Sequence, residues 1–107
     1  MTGLDRTLAA LADPKRRRLV ELLSEGPRRA GELARVLDLN PSALSRHLRT
    51  LKASGLVEES HPEFDARVRV YSLRSARIGE LKDWLAATER MWSEQLAAFK
   101  AHLERAP

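Results

Sequence analysis

Leucines recur at helical spacing along most of this chain, and the breaks between them are short. Leu4, Leu8 and Leu11 make a first stripe, spaced for one face of a helix. Asp13-Pro14 then opens a second helix, because Asp suits the N-cap and Pro the first helical position. That helix is expected from Pro14 to Ser24, with Leu19, Leu22 and Leu23 inward and Gly26-Pro27 ending it. Gly31 to Leu37 presents Leu33, Ala34 and Leu37 on one side. After the tight connection Asp38-Leu39-Asn40, the cap-then-proline signal repeats at Asn40-Pro41. The helix it opens, Pro41 to Ala53, carries Leu44, Leu48 and Leu51 at i, i+4 and i+7. Gly55 follows, suited to a left-handed C′ residue.

Past Gly55 the period changes from helix to strand. Leu56 to Ser60 and Arg67 to Leu73 read as two strands, joined by a loop from His61 to Ala66. In the second, Tyr71 and Leu73 share one face, Val68 and Val70 the other. A long helix is expected from Ser75 or Ala76 to Glu104. Its stripe, Ile78, Leu81, Leu85, Thr88, Trp92, Leu96, Phe99 and Leu103, steps by three or four residues, and Trp84 and Met91 widen it. A small monomer has too little surface to cover it, so a second copy of the helix, with Leu4, Leu8 and Leu11, is the natural partner. The sharper reading of Trp84, Met91 and Trp92 is a ligand pocket; the plainer one is packing. The pattern is mainly α with one β-hairpin. It predicts a winged helix-turn-helix in a single domain, 1–107, with a reading part at 14–73 and dimerisation helices at about 4–12 and 76–104.

Composition narrows the function. The chain has 107 residues and no cysteine, which fits one domain and excludes disulfides, thiolate metal sites and cysteine nucleophiles. No apolar run approaches the ~20 residues of a membrane span, and Met1 to Leu11 lacks the layout of a secretion signal. A cytoplasmic protein without a membrane partner is expected. Net charge is +4, but residues 1–55 carry +5 and residues 56–107 carry −1. A basic front half points to a polyanion partner. No phosphate-cradling glycine loop and no triad or paired-carboxylate arrangement is present, so neither an enzyme nor a cofactor is expected.

The helix from Pro41 is the candidate reader. With its leucines inward, Ser42, Ala43, Ser45, Arg46, His47 and Arg49 lie outward, and a helix of that kind fits the major groove. Arg46 is the choice for a base edge, Arg49 for phosphate, Ala43 for a thymine methyl, and His47 for a donor to phosphate or base. On the hairpin, Arg67 and Arg69 suit the minor groove or its phosphates, although Glu63 and Asp65 oppose that. Lys15-Arg16-Arg17-Arg18 points around more than one helix face, and it reads equally as phosphate contact or as a solvated helix start.

The chain resembles the ArsR/SmtB family of small bacterial repressors. The residues that carry the likeness are Ala10-Leu11-Ala12-Asp13-Pro14 with Arg16-Arg17, Gly31-Glu32-Leu33-Ala34, and above all Ser42-Ala43-Leu44-Ser45-Arg46-His47-Leu48. Leu51-Lys52, Gly55-Leu56-Val57 and Val68-Arg69-Val70-Tyr71-Ser72-Leu73 continue it. The resemblance implies a homodimer that represses transcription from an inverted-repeat operator in double-stranded DNA. Many relatives release DNA on binding metal. Here, however, Arg29-Ala30-Gly31-Glu32-Leu33 stands where the family's thiolate site lies. The second family site, counted from Asp83, falls on Leu85, Leu96 and Phe99. His47, His61 and His102 are isolated, so no metal is expected, and an effector is either unknown or absent. Two alternatives remain open: a winged helix used only for protein interaction, and a double-stranded DNA protein with little sequence preference.

Overall fold

The computed structural model describes residues 3–62, 65 and 67–105. Their elements run α1 (Gly3–Leu11), α2 (Pro14–Leu23), β1 (Arg28–Arg29), α3 (Ala30–Leu37), α4 (Pro41–Ala53), β2 (Val57–Ser60), β3 (Val70–Leu73) and α5 (Ser75–Arg105). Both proline-led helices start on a side-chain cap. Asp13 Oδ1 accepts from the backbone N–H groups of Lys15 at 2.8 Å and Arg16 at 3.3 Å. Asn40 Oδ1 accepts from the Ala43 N–H at 2.8 Å. Each cap is worth about 1 kcal/mol. Between α3 and α4 the chain reverses through Asp38, which is left-handed at φ 52°, and the Leu39 N–H returns to the Ala34 carbonyl at 2.9 Å. At the far end of α4, Gly55 takes φ 82°, and the Leu56 N–H closes on the Leu51 carbonyl at 3.1 Å. That closure is favoured by glycine, which has no Cβ to clash in the left-handed region.

The inward leucines meet as expected. Leu19 and Leu23 of α2, Leu33 of α3, and Leu44, Leu48 and Leu51 of α4 form one core with Leu56, Val57 and Tyr71. Leu22, Ala34 and Leu37 pack against its margin. The core therefore lies directly beneath α4 and fixes how that helix is presented.

Three features differ from the sequence reading. The first is the sheet, which has three strands in the order β1-β3-β2, all antiparallel; the added strand is Arg28–Arg29, paired with Tyr71 and Val70. The second is strand length. β3 begins at Val70 instead of Arg67, because its partner β2 ends at Ser60 and Pro62 has no N–H with which to extend the ladder. The third is α1, where Thr7 and Ala10 are the buried residues while Leu8 stays exposed. Small residues on that face let α1 approach the first turn of α5. There the Arg77 side chain crosses Gly3 and Gly55 so closely that a Cβ at either position would collide with it.

α5 is unlike the other helices. Its 31 residues include no buried side chain, and Ile78 in its first turn is the residue that packs against the core. The remainder runs out from the body, giving extents of 72 × 26 × 26 Å. No described helix is long and apolar enough to cross a membrane.

Candidate nucleic-acid interface

The outward side of α4 divides into two strips. Ser42, Ser45, Arg46 and Arg49 follow one another at three- and four-residue steps, so they share a face opposite Leu44, Leu48 and Leu51. Ser42, Arg46 and Arg49 are exposed and Ser45 is half-buried. None of these four side chains makes a hydrogen bond or ion pair with the rest of the described chain. They form an open polar face on a helix whose other side is locked.

Ala43 and His47 occupy the flank towards α2. His47 is half-buried, and its Nδ1 lies 3.4 Å from Nη1 of Arg16. A guanidinium can only donate, so the imidazole accepts through Nδ1 and keeps Nε2 for another partner. Arg16 also donates from Nε to the Ala10 carbonyl at 2.6 Å and approaches Asp13 at 3.9 Å. It therefore joins the end of α1, the cap of α2 and the reading helix. Partial desolvation raises the Asp13 carboxyl, but the backbone N–H groups of Lys15 and Arg16 bring it net below its ordinary value.

The rest of the basic run is also engaged. Arg17 donates to the carbonyls of Leu11 at 2.9 Å and Ala12 at 3.2 Å, serving the free carbonyl end of α1. Arg18 pairs with Glu21 at 3.1 Å. Of the four side chains in the run, only that of Lys15 makes no hydrogen bond or ion pair among the described residues.

Across the sheet, Glu59 is a hub. Lys52 Nζ donates to it at 2.6 Å and Tyr71 Oη at 3.1 Å, and Arg69 Nε stands 4.0 Å away. The Lys52 hydrogen bond is the main reason its carboxyl sits below the ordinary value. Burial, then the bond to Glu59, raises the Tyr71 phenol. This cluster ties the wing to the last turn of α4. It also places Arg69 in the same hollow as Ser45 and Arg49.

Arg67 lies further out, with its side chain 92% exposed and its Nε 3.2 Å from Asp65. The Arg67 backbone N–H, then its guanidinium, hold the Asp65 carboxyl below its ordinary range. His61 Nδ1–H donates to the Val68 carbonyl at 3.0 Å, closing the loop base. Glu63, whose charge opposes a wing contact, lies outside the described residues, as do Phe64 and Ala66.

The remaining expected positions gather elsewhere. Leu8, Leu85, Trp92, Leu96 and Phe99 are exposed, and Leu4 and Leu81 half-buried, with Trp92 at 57%, Leu96 at 62% and Phe99 at 60% exposure. Trp84 and Met91 are exposed too. Among those residues no three His, Asp or Glu side chains come close enough to hold a metal ion. Sequence reasoning missed the β1 arginines. Two residues carry no periodicity, and their pairing with β3 is long-range.

Residues 13–59 match the family described as "Bacterial regulatory protein, arsR family". The chain is 38% identical over 95 residues to the HTH-type transcriptional regulator Rv2034 of Mycobacterium tuberculosis, covering 89% of this chain and 83% of that protein. Among solved structures, an ArsR-like transcriptional regulator from Rhodococcus sp. RHA1 aligns with a TM-score of 0.75 at 29% identity, covering 97% of this chain and 95% of that one. The homodimeric winged helix-turn-helix DNA-binding domain Mb0332 of Mycobacterium bovis has the same fold. Its TM-score is 0.66 at 24% identity, with 87% of this chain and 83% of that one covered.

Proposed function

The chain belongs to the ArsR family of bacterial regulatory proteins and is a DNA-binding transcriptional regulator, and we propose that it acts as a homodimeric repressor that does not sense metal. The observation that carries the reading is the open face of α4, held rigid by three buried leucines. Ser42, Ser45, Arg46 and Arg49 then meet the major groove, with Arg46 on a base edge and Arg49 on phosphate. Ala43 touches a thymine methyl, His47 donates through its remaining nitrogen, and Arg67 and Arg69 follow the adjacent phosphates from the wing. Residues 1–107 act as one domain, with the reader at 14–73.

Dimerisation falls to about 4–12 and 76–104. Leu4, Leu8, Leu81, Leu85, Trp92, Leu96 and Phe99 would be covered by the same residues of a second copy, an arrangement supported by the exposure of α5 and by the homodimeric state of Mb0332. Two-fold symmetry then calls for a pseudo-palindromic operator with half-sites ~34–36 Å apart or a multiple of that. The repressor polarity rests on the family resemblance, and the cytoplasm is where such a protein meets DNA. The non-metal reading rests on the residues at the family's two metal positions: an Arg-Ala-Gly-Glu-Leu stretch without a thiol, and the apolar Leu85, Leu96 and Phe99.

Arg46→Ala tests the assignment. In a gel-shift titration against an operator selected from random duplexes, the variant loses its preference for the operator while sedimenting as a dimer. Unchanged discrimination would remove Arg46 from the base contacts. Wild-type binding that is absent or insensitive to salt would point instead to a protein-interaction module. Equal affinity for selected and random duplexes would indicate a low-specificity DNA protein.

A further inference from the structure

β1 builds a second cationic surface beside the reader. Arg29 pairs with Val70, and the Ala30 N–H donates to the Arg69 carbonyl at 3.1 Å. These bonds close the start of α3 against the base of the wing. The seam between them is a groove of about 650 Å³ lined by Arg29, Arg35, Arg67 and Arg69, with Glu32 as its carboxylate.

The charges of this groove are poorly balanced. Glu32 is held by Arg28 at 2.6 Å, and Arg28 holds Glu25 as well at 2.8 Å. Arg67 has Asp65, and Arg69 has Glu59 at 4.0 Å. Arg29 and Arg35 are exposed, and their side chains have no hydrogen bond or ion pair among the described residues. Nothing in the fold needs two unpaired guanidiniums facing two others across one seam. Such clustering raises the local potential and is relieved by an anion. A guanidinium is also the side chain best matched to phosphate oxygens.

Position identifies the anion. Arg69 lines this groove, the hollow that holds Ser45 and Arg49, and the cleft where Gly31 meets Ser45. The groove is therefore continuous with the open face of α4. In helix-turn-helix proteins the first helix of the pair crosses the DNA backbone while the second enters the groove.

We propose that the α3–wing groove is a phosphate clamp, in which Arg29 and Arg35, opposite Arg67 and Arg69, grip the sugar–phosphate backbone beside the bases that α4 reads. The clamp rests on the DNA-reading assignment above and adds a contact that carries affinity without sequence information.

The test is the double variant Arg29→Gln/Arg35→Gln, in full-length protein, against the selected operator duplex and a random duplex over a range of salt. Its affinity falls by the same factor for both duplexes, and the slope of log K against log salt becomes shallower by about 3.6, near 0.9 for each of the four phosphate contacts that a dimer loses. Arg90→Gln, which removes one guanidinium charge from exposed α5, leaves the slope unaltered. An unchanged slope in the double variant overturns the clamp. So does a selective loss on the operator, which would make these arginines base readers. A wild-type protein that cannot tell the two duplexes apart defeats the reading by α4, while the slope on the random duplex still decides the clamp. Both arginines are exposed and unpaired, so an unchanged thermal midpoint confirms that the variant is folded.

Discussion

α4 and α5 are both amphipathic helices, yet among the described residues only α4 has its apolar face buried. The 13 residues of α4 bury Leu44, Leu48 and Leu51, and α2, α3 and β2 supply the other side of the contact. The 31 residues of α5 bury none, since α1 is the main element that packs against it. An apolar stripe states that a helix will be covered but says nothing about by what. In α4 the covering residues lie within forty positions on either side, and the helix becomes a rigid platform. In α5 no such residues are present among the described ones, and the stripe is left for the second copy proposed above. Full burial of a large apolar side chain stabilises by roughly 1.5–3 kcal/mol, and Trp92, Leu96 and Phe99 are each more than half exposed.

The most disruptive way to test this contrast is to make α5 unfit for a partner. Trp92→Glu combined with Leu96→Glu places four like charges across the proposed two-fold interface. The variant sediments as a monomer at micromolar concentration with unchanged helical content, and operator affinity drops by on the order of 10³-fold, the scale lost when two linked sites become one. A dimer that retains wild-type affinity would show that α5 is covered in another way.

That monomer then allows the two helices to be compared directly. Leu51→Ala in it costs about 2–5 kcal/mol, the range for emptying a packed leucine site, because Leu51 is fully buried within one chain. Phe99→Ala in the same background changes stability by less than about 0.5 kcal/mol, as for an exposed position. Urea denaturation measures both. If Phe99→Ala were as costly as Leu51→Ala, α5 would be packing internally and the contrast would be wrong.

What was legible in the sequence follows the same division between local and distant causes. The start of α4 was readable because Asn40-Pro41 is a local cap, and its end because Gly55 is a local stop. The core leucines were readable because helical spacing is local too. β1 was not, since Arg28–Arg29 becomes a strand only by pairing with Tyr71 and Val70, more than forty residues away. The short β3 depended on Pro62, just past the end of β2. The burial of Thr7 and Ala10 while Leu8 stays exposed could not be read from the leucine spacing of α1, because it depends on how that helix meets the rest of the fold. On the reading face, the outward set Ser42, Ser45, Arg46 and Arg49 followed from the leucine period. That His47 would face Arg16 did not, because a run of four basic residues gives no sign of which one turns inward. The α3–wing groove was hidden for the same reason as β1.

A finer test concerns how the reader holds its own wing, a link within one chain that the proposed dimer does not supply. Glu59 joins Lys52 of α4 to Tyr71 of β3, and its carboxyl is lowered from an ordinary value of 4.5, first by the Lys52 hydrogen bond. A lowered folded-state pKa means that the ionised form is favoured by folding. The stability it contributes is present above pH 4.5 and is lost as pH falls below that value through the folded one. Glu59→Gln removes the titrating group, so the wild-type advantage over it is present at neutral pH and fades as pH falls below 4.5. Asp13 and Asp65 are lowered as well, but they titrate in both proteins and cancel in the difference. Because Lys52 is partly exposed, the advantage is expected to be under about 1 kcal/mol. It should appear undiminished in the monomeric background, measured as the urea midpoint against pH. Parallel pH profiles for the two proteins would mean that the wing is held by the sheet ladder and Tyr71 packing, with Glu59 contributing nothing.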